Sequence, residues 1–381
     1  MLPPNSLILI TGATGHIGSC TLLHLLRAGH RVRAAVRSEA KIVAVLARPQ
    51  IQALNLGSRL TFTVVPDITA AGAYDNAVQG VTHIIHIASP LATSGVPPDQ
   101  HDAYYIQPAV RGTMSMLEAA NFGGTVRRVV ITSSFVALVP VAEMEGAKKR
   151  DRRRPVTPND RIPFIKGPYH SEFAAYAASK VASLRAAEEW MEREGPAFDV
   201  VYLHPGFVLG RNDAATTHAQ AMQGTNSAVL ALLLGKKFGP YAGATVHADD
   251  VARAHVASLD AAVLGNQSYI LSQPTRWNDA RKIAEREFAD AFKTKALVKG
   301  GSVATMQLPI DTSLTVETFS FTFASYEEQV KSVVSHYLEL RARRMSGVHM
   351  VAPNSHSHSH SHSHAVPTKQ DVVVSVTAIA C

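Results

Sequence analysis

Residues 7–18 read LILITGATGHIG, an apolar run that leads into three glycines spaced three residues apart. Gly12 permits a tight turn, Gly15 lets the backbone approach a pyrophosphate, and Gly18 allows a helix to pack closely on the strand. The helix that follows offers unpaired N–H groups and its positive end to an anion. This order predicts a dinucleotide site, and an ordinary tight turn is the alternative. The expected contacts are Thr11, Gly12, Gly15, His16, Ile17 and Gly18.

Short apolar runs alternate with longer segments of helical period through the first two hundred residues. This alternation is typical of a doubly wound parallel sheet, the Rossmann-type α/β fold. The predicted strands are 7–11, 31–37, 60–65, 82–88, 128–132 and 199–204. The predicted helices are 17–28, 110–121 and 174–194.

Beyond residue 210 the pattern becomes mixed, which favours a smaller lobe. We predict a nucleotide-binding domain at 5–210, with residues 245–262 packing back onto it. Residues 211–244 and 263–343 are assigned to a substrate-binding lobe. Residues 344–381 are predicted to be a low-complexity, His-rich tail, because they hold five Ser-His repeats. Further predicted elements are helices at 228–234 and 326–341, a return segment at 246–257 and a strand near 269–271.

The composition is that of a folded protein, since 46% of the 381 residues are hydrophobic and 18% are charged. The net charge of +7 is local, because six basic residues and one Asp lie between Lys148 and Arg154, and this argues against nucleic acid as a partner. The chain has two cysteines and shows neither a signal-peptide pattern nor a long apolar stretch. We therefore expect a cytoplasmic protein with no membrane partner. We expect no metal site, and a monomer or homodimer.

Tyr176 and Lys180 stand four residues apart in a predicted helix and therefore share one face. A nearby ammonium stabilises a phenolate, which suits acid catalysis. Upstream, Ser133 and Ser134 follow the strand 128–132, at the end where doubly wound sheets bind ligands. Tyr and Lys at this spacing are common on helix surfaces, so their significance comes from following the glycine motif and the serines in this order.

The second predicted strand ends at Arg37, where an NAD-binding chain would carry an acidic residue. Arg37 could form charge-assisted bonds to a 2′-phosphate, with Arg33 or Ser38 assisting. The sequence therefore favours NADP over NAD. The alternative is that Arg37 is only an exposed strand end, and Glu39 lies close enough to leave NAD open.

Taken together, residues 5–343 resemble the extended short-chain dehydrogenases/reductases of the NAD-dependent epimerase/dehydratase superfamily. Within it, the chain is similar to the branch of dihydroflavonol reductases and yeast NADPH-dependent aldehyde reductases. Besides the glycine and Tyr-Lys motifs, the resemblance is carried by VRAAVR at 32–37, GAYDNAVQG at 72–80, HIASP at 86–90, HPG at 204–206 and VHADDV at 246–251.

This resemblance implies reduction of a ketone or aldehyde by NADPH, with Tyr176 donating a proton to the developing alkoxide. Lys180 would hold the cofactor ribose, and Ser134 would polarise the carbonyl, with Ser133 as the substitute if the alignment is one residue out. The resemblance also places Arg37 at the 2′-phosphate and Asp67 at the adenine. Its further implied cofactor contacts are Ala88, Tyr176, Lys180, His204, Pro205 and Gly206.

Ser134 is followed by Phe135 rather than by the Asp-Glu pair of sugar-nucleotide dehydratases, so dehydration is disfavoured. The expected function is an auxiliary ketoreductase of secondary, for example polyketide, metabolism that acts on an apolar carbonyl compound. A sugar-nucleotide epimerase with tightly bound NAD and a non-catalytic NADPH sensor are the alternatives. The basic segment 143–161 is expected to be a solvated loop at the pocket rim, or a device that steers anions.

Overall fold

The computed structural model describes residues 2–3, 5–90 and 95–345. The predicted His-rich tail lies outside the described residues, except that its first two residues close the last helix. Within these ranges, no helix combines the length and the apolar character that crossing a membrane requires.

A central sheet of seven parallel strands organises the chain, so the predicted Rossmann-type fold is confirmed. Its order is β3-β2-β1-β4-β5-β6-β10. The direction of strand succession reverses beside β1, which opens a crevice at the carboxyl ends of β1 and β4. The strands are β1 (Leu7–Thr11), β2 (Arg31–Val36), β3 (Leu60–Val64), β4 (His83–His86), β5 (Arg128–Thr132), β6 (Asp199–Pro205) and β10 (Gln267–Leu271).

Helices cover both faces of this sheet. Helices α1 and α9 pack together and share one apolar cluster, whereas α4 and α6 pack together within another. The α-helices are α1 (His16–Arg27), α2 (Glu39–Leu46), α3 (Pro49–Gln52), α4 (Gln107–Gly123), α5 (Val141–Met144), α6 (Glu172–Glu194), α7 (His218–Ala221), α8 (Asn226–Leu233), α9 (Ala248–Ala257), α10 (Asp279–Glu287), α11 (Ala289–Lys293), α12 (Ser313–Phe319) and α13 (Tyr326–Met345).

Local sequence signals fix both ends of α6. The Ser171 hydroxyl accepts a hydrogen bond of 3.0 Å from the Ala174 N–H, and Glu172 in the first turn favours the positive end of the helix. Gly195 ends the helix with a φ of +51°, a conformation that glycine adopts without strain. Both ends of this long helix, which packs against α4, are therefore defined by the local sequence.

Outside the central sheet, the described chain after β6 forms two small sheets together with the helices α7, α8 and α10 to α13. Trp277, completely buried, packs edge-on against Phe207 and Tyr326 and holds these distant parts of the chain together. The remaining strands are β7 (Phe207–Leu209), β8 (Lys237–Ala242), β9 (Ala244–His247), β11 (Gln273–Pro274) and β12 (Ser302–Met306).

One predicted element belongs to a different layer. The strand expected in the lobe near 269–271 is β10, and it pairs in parallel with β6 as the edge of the central sheet. A short buried apolar run predicts a strand, but it carries no information about the sheet that the strand joins. The return segment contains α9, which packs on α1. The remaining domain limits stay predictions.

Three of the buried histidines lie on elements around the crevice, namely His86 on β4, His204 on β6 and His255 on α9. Burial lowers the pKa of His86 to about 4, of His204 to about 3 and of His255 to about 4. All three rings are therefore neutral near pH 7, and their nitrogen atoms have fixed donor and acceptor roles.

Acidification from pH 7.5 to 5.5 should weaken the fold through these buried histidines. These histidines bind a proton near pH 6.5 in the unfolded chain but only near pH 4 or below in the folded one, so their contribution to stability is complete above pH 6.5 and decreases below it. We expect the free energy of unfolding in urea to fall by about 1 kcal/mol per buried histidine between pH 7.5 and 5.5. In the control variant His255→Gln, the loss of unfolding free energy between the two pH values should be smaller by about 1 kcal/mol, because one titrating group is removed. Equal free energies at the two pH values would contradict the prediction.

Candidate active site

Four neighbouring strands deliver polar groups to one edge of the sheet. Because β1, β4, β5 and β6 are parallel, their carboxyl ends all lie at the same side. The glycine turn follows β1, Ser89 lies just beyond β4, Ser134 lies just beyond β5, and β6 ends at Pro205. The glycine turn, Ser134 and the end of β6, which the sequence singles out, thus lie at the same edge of the sheet.

The three glycines of the turn have different environments. Gly12 has a φ of +73°, and a Cβ there would lie 2.9 Å from the Ala88 nitrogen. A Cβ on Gly18 would lie only 2.0 Å from the Gly12 carbonyl oxygen, so this glycine is required for α1 to approach β1. Gly15 is exposed, and a Cβ there would meet only the Gly12 oxygen at 3.5 Å. The space at Gly15 is therefore not needed by the protein itself and lies at the N-terminus of α1.

The side chain of Thr11 braces the neighbouring strand end. Its hydroxyl oxygen accepts hydrogen bonds of 3.0 Å from the Ile87 and Ala88 N–H groups. The hydroxyl proton can then be donated to His86 Nδ1, 3.1 Å away, which fits a neutral ring. The side chain of Thr11 thus has a structural role, and the predicted cofactor contacts of Thr11 and Ala88 stay predictions.

Tyr176 and Lys180 lie on the buried face of α6. Tyr176 is fully buried and Lys180 is 5% exposed, so neither is the surface decoration that this spacing often represents. The Lys180 ammonium lies 5.6 Å from the centre of the Tyr176 ring. It donates a hydrogen bond of 3.0 Å to the Ser89 hydroxyl. The ammonium therefore bridges the α6 helix and the end of β4, beside the phenol.

Ser134 is completely buried and caps the short 3-10 helix Phe135–Ala137. Its hydroxyl oxygen accepts a bond of 3.4 Å from the Val136 N–H. This bond uses a lone pair of the oxygen, so the hydroxyl proton can be donated to a ligand. Ser133 differs, because its N–H is bonded to the Leu203 carbonyl in continuation of the sheet. The choice of Ser134 over Ser133 as the hydrogen-bond donor of the site stays a prediction.

The His-Pro-Gly run at the end of β6 has structural roles. His204 Nδ1 lies 3.3 Å from the Ser134 carbonyl oxygen, and its Nε2 lies 3.1 Å from the Ser268 hydroxyl. Pro205 continues the pairing with β10. A Cβ on Gly206 would lie 2.5 Å from the Ala244 carbonyl oxygen, so glycine is needed for close packing of the lobe. Cofactor contacts of these three residues stay predictions.

At the far end of the crevice, Arg37 is exposed immediately after β2. The Asp67 carboxylate accepts bonds from the N–H and hydroxyl of Thr69, which lower its pKa, and the positive charge of Arg37 lowers it further. Asp67 is thus part of a local turn close to Arg37, and its predicted adenine contact stays a prediction. Arg33 is engaged elsewhere, since it donates to the carbonyls of Ala77 and Gln79 at 2.7 and 2.8 Å.

In the basic segment 143–161, Lys148, Lys149 and residues 152–154 are exposed to solvent as expected, whereas two arginines are tied into the local structure. Arg150 forms ion pairs of 3.0 Å with Glu143 and 2.9 Å with Asp160. Arg161 donates hydrogen bonds from its Nε and one terminal nitrogen to the carboxylate of Glu188 on α6. These two guanidinium groups therefore stabilise the local structure instead of steering an anion. No local pattern indicates the acidic partners of these arginines, which lie up to 27 residues away in the chain.

Within the described ranges, one group of three side chains has the atoms to ligate a metal ion, namely Cys20, His24 and Asp249. The Cys20 thiol and His24 Nε2 both lie about 3 Å from the same Asp249 oxygen. Burial and Asp249 raise the pKa of the Cys20 thiol well above its usual value, which opposes the thiolate that a metal needs. The contacts serve as hydrogen bonds between α1 and α9.

Comparison with known proteins gives a consistent result. The model of the NAD dependent epimerase/dehydratase family matches residues 8–271. Ketoreductase CTB6 of Cercospora nicotianae is 41% identical over 350 residues, which cover 88% of this chain and 96% of that protein. Ketoreductase sphI of Aspergillus fumigatus is 30% identical, with 87% and 98% covered. The crystal structure of Gre2 in complex with NADPH from Candida albicans superposes with a TM-score of 0.74 at 23% identity, covering 88% of this chain and 99% of that one.

The family expected from the motifs is therefore confirmed, and the structural neighbour has the same fold. The match includes the glycine turn, Ser134, Tyr176 and Lys180. This chain belongs to the NAD-dependent epimerase/dehydratase family, among the extended short-chain dehydrogenases/reductases.

Proposed function

We propose that the protein is an NADPH-dependent reductase that transfers hydride to the carbonyl of a mainly apolar ketone or aldehyde. An auxiliary ketoreductase of secondary metabolism, such as a polyketide pathway, is the role that we infer. The observation that carries the proposal is that the buried Tyr176 and Lys180 lie on α6, which packs against the 3-10 helix capped by the buried Ser134, at the edge that also holds the glycine turn. Two relatives that match nearly their whole length bear the name ketoreductase.

The residues at this edge fit a dinucleotide. The space at Gly15 and the N-terminus of α1 would hold the pyrophosphate, Arg37 the 2′-phosphate, and Lys180 the nicotinamide ribose. When bound, the nicotinamide supplies the hydride that reduces a carbonyl carbon. The remaining chemistry is assigned to the side chains of this chain.

Tyr176 donates its phenolic proton to the alkoxide oxygen that forms when the carbonyl is reduced. Lys180, beside the ring, stabilises the phenolate that remains. The hydroxyl of Ser134 donates a hydrogen bond to the same substrate oxygen and stabilises its negative charge. Because the three groups are buried, water competes little with these interactions, which strengthens them.

The surroundings of the phenol favour an apolar substrate. Phe135, Val136 and Tyr176 belong to one continuous apolar cluster. A sugar diphosphate would need cationic side chains, and two arginines of the basic segment are already ion-paired with carboxylates. Aryl ketones, aliphatic aldehydes, 2-oxo compounds and flavanonols are therefore the compounds to assay by NADPH oxidation, with NADH in parallel.

The family description also covers epimerases, which use the same Tyr-Lys pair but keep NAD tightly bound. Purified protein that carries stoichiometric NAD and shows no net oxidation of NADPH would favour that alternative. We further propose a cytoplasmic location. We also propose that the protein is a monomer or homodimer, and gel filtration tests this oligomeric state. A pure NADPH sensor would not need Ser134, Tyr176 and Lys180 together.

Removal of one hydroxyl should separate chemistry from binding. We expect Tyr176→Phe to lower kcat by about 10²- to 10⁴-fold, because the proton donor is lost, while the Kd for NADPH stays within about threefold. Tyr74→Phe is the matched control, since Tyr74 is also fully buried and its hydroxyl has no hydrogen-bond partner among the described groups. A normal kcat in Tyr176→Phe would contradict the assignment of Tyr176 as the proton donor.

Cofactor preference should depend on Arg37. Its guanidinium would make charge-assisted bonds to the 2′-phosphate, so Arg37→Gln should weaken NADPH by about 10- to 100-fold and leave NADH nearly unchanged. Arg33→Gln is the control, because Arg33 binds main-chain carbonyls and its loss should not change the NADPH-to-NADH ratio. The proposal for Arg37 fails if both variants keep the wild-type ratio in fluorescence titrations.

Two glycines of the turn should respond oppositely to a methyl group. Gly15 has a φ of −93°, which alanine tolerates, so Gly15→Ala should leave the melting temperature near that of the wild type. The added carbon would occupy the proposed pyrophosphate space and raise the Kd for NADPH at least about tenfold. Gly18→Ala should instead destabilise the fold by about 1–3 kcal/mol, because the carbon meets backbone. Calorimetry measures the melting temperatures of both variants, and titration measures their Kd for NADPH. An unchanged Kd in Gly15→Ala would contradict the proposed pyrophosphate site.

A further inference from the structure

The Ser134 carbonyl begins a chain of directional hydrogen bonds that leaves the active site. A carbonyl oxygen only accepts, so His204 Nδ1, 3.3 Å away, must carry the proton. Burial and the charge of Arg161 lower the pKa of His204 to about 3, so the ring is neutral and its Nε2 has no proton. Nε2 must then accept from the Ser268 hydroxyl at 3.1 Å.

Arg161 completes the chain. A terminal nitrogen of its guanidinium donates to the Ser268 oxygen at 3.0 Å, which leaves the Ser268 proton for His204. The other terminal nitrogen donates to the Pro158 and Asp160 carbonyls at 2.9 and 2.8 Å. The direction of the bonds from Arg161 through Ser268 and His204 to the Ser134 carbonyl is therefore fixed.

The Arg161 guanidinium also binds to α6, the helix that carries Tyr176. It binds both carboxylate oxygens of Glu188, which lies twelve residues after Tyr176 on α6. The segment 158–161, the helix α6 and the strand β10 are thus joined at Arg161. The two sides of the active site, Ser134 after β5 and Tyr176 on α6, are connected through this group.

We propose that His204 is a positioning residue: its Nδ1–H fixes the carbonyl of Ser134, and thereby the direction of the Ser134 hydroxyl, with Ser268 and Arg161 holding the ring. Rotation of the Ser134 peptide plane would change the backbone angle beside the hydroxyl and the start of the 3-10 helix that it caps. His204 itself is fully buried and acts only through the serine. This inference rests on the donor role of Ser134 in the proposed function.

Two amide substitutions separate the two ring nitrogens. In His204→Asn the amide nitrogen can take the place of Nδ1 and keep the bond to the Ser134 carbonyl, whereas in His204→Gln the amide reaches only the Ser268 side. We expect His204→Asn to keep kcat within about threefold and His204→Gln to lower it about tenfold, because misplacement of a catalytic group slows the reaction. The KM for NADPH should change little in either variant.

A double-mutant cycle gives the decisive readout. Ser134→Ala should lower kcat by about 10²- to 10³-fold, and adding His204→Gln to it should cause no further loss if the histidine acts only through the hydroxyl. Multiplication of the two losses would overturn the inference, as would equal losses in the Asn and Gln variants. If His204→Gln does not fold, Ser268→Ala takes its place in the same cycle, with the same expected non-additivity.

The cycle also distinguishes this inference from the function that it rests on. Normal kcat in Ser134→Ala would remove both the donor role of the serine and the role of His204, while Tyr176→Phe would still report on carbonyl reduction. Loss in Ser134→Ala with additive loss from His204→Gln would leave the proposed reductase intact and reject only the positioning role.

Discussion

The close contact between Gly12 and Gly18 is the constraint on which the site depends. With no Cβ on Gly18, helix α1 begins directly over the end of β1, within reach of the carbonyl of Gly12. Its N-terminus consequently opens at the edge where β4 and β5 also end. A larger residue would lift the helix from the sheet and move its unpaired N–H groups away from Tyr176 and Lys180.

Much of this arrangement could be predicted from the chain alone. The glycine spacing, the apolar strands and the capped helix α6 are local signals, and local signals agree here with the final fold. The parallel sheet then brings Ser134 and the glycine turn to one edge, because parallel strands share a direction. Tyr176 and Lys180 follow from the helical period, and only their burial had to come from the structure.

Other features depend on contacts between distant segments, which no local pattern encodes. The strand β10 looks the same in sequence whether it pairs with β6 or lies in the lobe. The Ser89 hydroxyl accepts a hydrogen bond from the Lys180 ammonium. Apart from its place after β4, nothing in the sequence predicts this contact. Likewise, Arg161 looked like one charge in a basic loop, although its partners Glu188 and Ser268 make it a structural clamp.

The crevice is long, and its two ends are built by different parts of the chain. Arg37 follows β2 on one side of the switch in strand order, whereas Ser134 and α6 lie on the other. In the proposed enzyme, substitutions that alter coenzyme choice therefore need not disturb the groups that receive the carbonyl compound. Divergent descendants of such a scaffold could change their reductant and their metabolite in separate evolutionary steps.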